Sequence, residues 1–273
     1  MVPPLTLLMI CLTLAMSLLL PAAFLLVLCK GRKGVFGVWL AGALGFFIPQ
    51  MVIRIPILQW LGTQAAFKTF AGSNPYVYAL ALALSAAVFE TAGRYLVLKF
   101  ALRGRLSYMT GLAAGAGHGG IEAIALIGLT YINNLVISLM INAGQLSTLI
   151  PDPDMAAQIS QALTGTEPLI FLMAGFERIF TMVFHVALSL LLAWFLTRGK
   201  AIAGVLLVLG LHAAVDFIVV VLQIRGLSIW LIEGAVMLCA LASLLLIVKL
   251  RPLFGASQTI PADPAEQAVQ EGY

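Results

Sequence analysis

Long apolar runs alternate with short connections rich in charge, proline or glycine along most of this 273-residue chain. As helices, runs of about 20 residues can cross the hydrocarbon core of a bilayer. Seven reach that length: about Pro4 to Cys29, then Val35–Leu58, Tyr76–Leu98, Tyr108–Tyr131, Pro168–Leu196, Ala201–Leu222 and Ser228–Val248. The first has no basic segment before it and is too long for an ordinary signal peptide, so it is expected to stay as a span. An apolar stretch continuing from Tyr131 to Ala143 leaves three choices: a longer fourth span, an interfacial helix or a re-entrant segment; about seven spans are expected, with eight as the alternative. The pattern predicts an all-α, polytopic transmembrane helix bundle over residues 1–254, with its core at about 76–222. Residues 255–273, with Pro261, Asp263, Pro264, Glu266 and Glu271, read as a disordered cytoplasmic tail.

Composition excludes a soluble domain. Hydrophobic residues make up 62% of the chain, charged residues 10%, and the mean hydropathy is +1.08. The net charge of +4 would suit a nucleic-acid partner, but most cationic residues border the spans, so none is expected. Lys30, Arg32, Lys33, Lys99, Arg103, Arg105, Arg198, Lys200, Lys249 and Arg251 fall on one side, against Lys68 and Arg225 on the other. The positive-inside rule then predicts an integral plasma-membrane protein with an outside N-terminus and a cytoplasmic C-terminus. The connection from Gly144 to Glu167 has no Lys or Arg and reads as external, with a short amphipathic helix at Met155–Leu163. Cys11, Cys29 and Cys239 have no CxxC spacing and read as packing residues.

Against this background the ionisable residues inside the spans stand out. Each costs on the order of 2.5–3.5 kcal/mol at the bilayer centre, so a group of them needs a shared reason. Glu90 and Arg94, His118 and Glu122, and His212 and Asp216 each stand four apart, which puts each pair on one helical face. Span five adds Glu177, Arg178 and His185, with Arg178 and His185 seven apart. Counted from the basic side, His118, His185 and His212 all lie roughly 15–18 Å deep at 1.5 Å per residue, a common layer bracketed by Glu90 and Asp216. Glu90 and Arg94 are positioned for an intrahelical ion pair that would keep Glu90 ionised. The His118 and Glu122 spacing suits metal binding or a carboxylate that orients an imidazole tautomer. Gly111, Gly115, Gly117, Gly119 and Gly120 suggest span four as the wall of a water-filled cavity. Arg54, near the outer end of span two, reads as a snorkelling residue, and Glu233 as an interfacial one. No P-loop, dinucleotide fingerprint, HExxH or GxSxG is present.

The ordered set Glu90xxxArg94, His118xxxGlu122, Glu177-Arg178 with His185, and His212xxxAsp216 resembles the YhfC family of predicted intramembrane metalloproteases. That family looks related to the PrsW and type II CAAX prenyl protease (CPBP) superfamily, which includes APH-type scaffold proteins. The resemblance covers about Tyr76 to Leu222. Phe89 stands where the superfamily pattern has the first of two adjacent glutamates, and Ala114 where many CAAX proteases have an aromatic residue. The resemblance implies a CAAX-protease-like helical core with a membrane-embedded hydrolytic site. Its catalytic residues would be Glu90, Arg94, Glu122, His118, His185, His212 and Asp216, supported by Glu177 and Arg178. His118, His185 and His212 would be either oxyanion donors or ligands to Zn2+ or another divalent metal, and a metal-free glutamate mechanism uses the same groups. The substrate would be a membrane protein or a lipid-modified peptide. A non-catalytic membrane scaffold and a proton-coupled transporter are the competing readings.

Overall fold

Span one shows how the bundle is sorted. Its polar positions Thr6, Thr13 and Ser17 are fully buried, whereas Leu5, Leu8, Leu12 and Leu19 are exposed. Lipid tails solvate leucine, so the apolar face needs no partner and the small polar face is turned to the protein. The computed structural model, which describes residues 1–255, is helical throughout, with no strand among them. Among the described residues, seven helices are long and apolar enough to cross a membrane: Pro4–Cys29, Val35–Thr63, Pro75–Ala101, Tyr108–Asn142, Pro168–Thr197, Ala201–Ile224 and Ile229–Leu253. They are spans one to seven below. The tail expected to be disordered lies, from residue 256 onward, outside the described residues.

The apolar stretch after Tyr131 extends span four. At 35 residues this helix is about 52 Å long, well over the roughly 30 Å of a hydrocarbon core, so its far end projects. That end is tied down: Asn142 accepts from the Val2 amide at 2.6 Å and donates to the Val2 carbonyl at 3.2 Å. The amphipathic helix of the following connection is Pro153–Gly165. Asp152 caps it, accepting from the Asp154 and Met155 amides, and Leu163 is buried in a satellite cluster with Val2, Ile10, Tyr131, Ile137 and Phe171. A short helix, Ala65–Ser73, joins spans two and three and gave no periodic signal in the sequence.

Spans four and five form the centre. Span four packs between spans two and five, span five also meets spans one and seven, and span three pairs with span six. The glycines of span four make these contacts possible. A Cβ on Gly117 would run into the Trp39 carbonyl of span two, and one on Gly115 into Val186 and His185 of span five. Gly93 of span three meets Gly45 of span two in the same way. The expectation that these span-four glycines line a cavity is therefore corrected. They are the surfaces on which helices cross, because only a missing side chain allows backbones so close.

Three wide, π-helical stretches interrupt the spans: Phe47–Arg54, Val97–Ala101 and Ala123–Gly128. The first contains Pro49, whose ring obstructs the preceding turn and which has no amide hydrogen to give. The third begins directly after Glu122. Each shifts the register of its helix, and two of the three lie beside the polar interior.

Candidate functional site

Glu90 of span three is 4% exposed, and its two oxygens have different surroundings. Oε1 accepts a hydrogen bond from Gln50 Nε2 at 2.8 Å. Oε2 lies 3.1 Å from His118 Nε2, 3.6 Å from His212 Nε2 and 3.8 Å from His185 Nδ1. The imidazoles also touch one another, with ring centroids 4.9 Å apart for His118 and His185 and 5.3 Å for His185 and His212. Counting along three separate spans places the three histidines at one depth; the fold brings them into contact around one carboxylate.

The couples spaced four apart resolve differently from one another. Glu90 and Arg94 do not pair directly. Arg94 reaches across to span five, donating from Nε to Ser189 Oγ at 3.0 Å and from Nη2 to His185 Nδ1 at 2.9 Å. Span five offers two acceptors that would otherwise be unpartnered in a dry interior, and a long side chain can serve both. His118 and Glu122 do not pair either. Glu122 turns to span five, where Arg178 Nη1 donates to it at 3.0 Å and supplies the full positive charge that a buried carboxylate needs. Arg178 also binds its neighbour Glu177 through Nη2. Only His212 and Asp216 keep their expected contact, at 3.5 Å.

These contacts assign the His185 tautomer. Arginine can only donate, so Nδ1 is the unprotonated nitrogen and the ring hydrogen sits on Nε2, 2.6 Å from Glu122 Oε2. A cavity of about 310 Å³ opens from this layer. Its walls include Glu90, Glu122, Arg178, His185, His212 and Asp216, and from span four only Glu122 and Leu126. The Asp216 and Glu177 side chains, each 34% exposed, mark its wetter end. A second groove of about 320 Å³ between spans one, four, five and seven is almost wholly apolar, and Arg178 borders both.

Gln50 and Arg54 were missed or misread in the sequence. Arg54 does not snorkel; it points into the cavity, donating to Ser85 Oγ at 3.0 Å, the Leu82 carbonyl at 2.9 Å and Gln50 Oε1 at 3.3 Å. Its aliphatic stem would have reached the interface, but span three presents acceptors closer by. The signal was available: Gln50 and Arg54 also stand four apart within an apolar span.

Residues 16–236 match the family profile described as YhfC intramembrane metalloprotease. The chain belongs to that family. The match contains every residue of the layer and cavity described above, including Gln50 and Arg54. Among curated proteins, the uncharacterized membrane protein YhfC of Bacillus subtilis (strain 168) is 30% identical over 246 residues, covering 88% of this chain and 94% of the relative. No solved structure matches.

The family name implies a metal, and the side chains present fit one. Glu90, His118 and His185 are buried and offer one donor atom each, all within 4.8 Å of one another. One carboxylate and two imidazoles form a donor set suited to zinc and related divalent ions. This group differs from the three-histidine set expected from sequence: Glu90 joins it, and His212 stands outside it. His212 nonetheless has a buried Nδ1 with no hydrogen-bond partner. Arg94 occupies the His185 Nδ1 lone pair, so a metal at that nitrogen and Arg94 compete for one position.

Proposed function

We propose that this YhfC-family protein is an intramembrane metallopeptidase that hydrolyses a peptide bond of a membrane protein or lipid-modified peptide entering the polar cavity. The observation that carries this reading is the grouping of buried Glu90, His118 and His185 beside a cavity whose walls include Glu90 and His185 and whose more exposed residues are Glu177 and Asp216. Glu90, His118 and His185 would hold the metal, with Zn2+ the first choice. Bound there, it would act as a Lewis acid and bring the pKa of a bound water down to about 7.

The remaining roles belong to the chain itself. With Glu90 Oε2 turned to the histidines as a metal ligand, His212, whose Nε2 lies 3.6 Å from that oxygen, is the group placed to take a proton from water. Glu122, held by Arg178, keeps the His185 ring in its Nε2-protonated form. His212, beside Asp216 on the cavity side, is placed to pass a proton toward a leaving amine. Arg94 supplies fixed positive charge next to the reacting layer, where an oxyanion would form. By the distribution of basic residues, the protein sits in the plasma membrane with its N-terminus outside, and the cavity opens to the outer side.

The test uses the full chain purified in detergent. Metal analysis should find one equivalent of a divalent ion, which chelation removes together with any peptidase activity. Glu90→Gln, His118→Ala and His212→Ala should each abolish turnover while the protein still inserts and purifies normally. Comparing membrane proteomes with and without Glu90→Gln would identify a trapped substrate. Retained turnover in all three variants would sink the reading.

A further inference from the structure

We propose that Gln50, backed by Arg54, is a positioning residue of this site: its amide holds Oε1 of Glu90 and reserves Oε2 for the histidine layer. The inference rests on the metallopeptidase reading only for what Oε2 then does. Gln50 is itself 4% exposed, in a span where a buried amide without partners is costly, and both of its ends are engaged. Which end faces which partner is decided chemically. Arg54 Nη1 can only donate, so the atom 3.3 Å from it is the Gln50 carbonyl oxygen, and the amide nitrogen is the atom facing Glu90 at 2.8 Å.

Arg54 is in turn anchored on the helix that carries Glu90. It donates to Ser85 Oγ and the Leu82 carbonyl, both on span three, and Ser85 donates to Leu82 as well. The carboxylate and the anchor of its clamp therefore sit on one helix, with the clamp itself on span two. The π-helical stretch Phe47–Arg54 holds both clamp residues and ends at Arg54. A free glutamate can turn its carboxylate plane about its last bond. Here turning would break the Gln50 contact, so the plane is held with one oxygen on Gln50 and the other toward His118, His185 and His212.

Two readouts on the purified full chain test this. The first is the infrared signature of Glu90, taken as the bands lost in Glu90→Gln. These bands should shift in Gln50→Leu and in Gln50→Asn, whose amide is one methylene short. The second is binding of Co2+, whose visible spectrum reports ligand geometry. Affinity should fall by about 10–100-fold in both variants with an altered spectrum, as for loss of an outer partner of a metal ligand. Arg54→Lys should reproduce both effects more weakly, and it substitutes for Gln50→Leu if that variant does not fold. Ser17→Ala, which removes a buried polar group elsewhere, should change neither readout. Unchanged Glu90 bands with Co2+ affinity within twofold of wild type in the Gln50 variants overturn the proposal, as do equal changes in Ser17→Ala. If wild type binds no Co2+, the metal reading fails, and the infrared bands still decide the role of Gln50.

Discussion

At the scale of single residues, His185 connects the two acidic groups of the interior. Its Nδ1 accepts from Arg94 and lies 3.8 Å from Glu90, while its Nε2 faces Glu122. A metal taking Nδ1 must displace the Arg94 contact, and a hydrogen bond to a charged group contributes about 1.5–3 kcal/mol. Arg94→Leu is therefore expected to bind Zn2+ about 10–100-fold more tightly than wild type while losing turnover, measured by competition with a metal indicator. Equal or weaker binding would remove Arg94 as the competitor. Glu122 poses the opposite problem. With Arg178 it forms a pair whose side chains are only 11% and 9% exposed, so Glu122→Ala leaves a buried guanidinium facing apolar surroundings. That loss should destabilise the protein by about 3–5 kcal/mol, seen as a lowered thermal midpoint in detergent. Glu177 offers Arg178 a second carboxylate, so the measured value is expected toward the lower end.

At the scale of helices, close crossings set the geometry that brings the polar residues together. Span four meets span two through Gly117 on the Trp39 carbonyl and Gly42 on Ala114, leaving no room for a side chain. Gly117→Val should force spans two and four apart, at a cost above the about 1–3 kcal/mol of ordinary overpacking because the obstacle is backbone. Since Gln50 and His118 sit on those two spans, the same substitution should also weaken metal binding. Gly210→Ala, in span six, meets nothing within 4 Å and should leave the thermal midpoint unchanged or raised. Glycine number alone does not distinguish these two positions. Span limits, by contrast, were largely legible: Pro4–Cys29 was expected and found, and later spans differ mainly by a turn or so at their ends. The larger differences are at the far ends of spans two, four and seven, which run on to Thr63, Asn142 and Leu253.

At the scale of the whole molecule, seven crossings would put the chain termini on opposite sides, and the positive-inside rule predicts that the ends rich in Lys and Arg are cytoplasmic. Single cysteines placed in a variant lacking Cys11, Cys29 and Cys239 test this. A cysteine at Asp154 should be labelled by a membrane-impermeant maleimide on intact cells, and one at Arg103 only after lysis; the reverse pattern would invert the topology. The amino-acid sequence by itself determined the class of fold, seven runs long enough to span and which residues are too polar for lipid, because the bilayer imposes one length and one solvent on every helix; that the stretch after Tyr131 adds to span four was decided by the structure. It also put the three histidines at one depth, since rise per residue is constant. It did not determine partners. Spacing by four is a property of one helix, and it suggested Glu90 with Arg94 and His118 with Glu122; in the fold, neighbouring helices supply Gln50, Ser189, Arg178 and His185 instead. Those partners depend on rotation and crossing of helices, which glycine contacts and π-helical stretches set. A long side chain in a dry interior takes the strongest acceptor or donor within reach, whichever helix presents it.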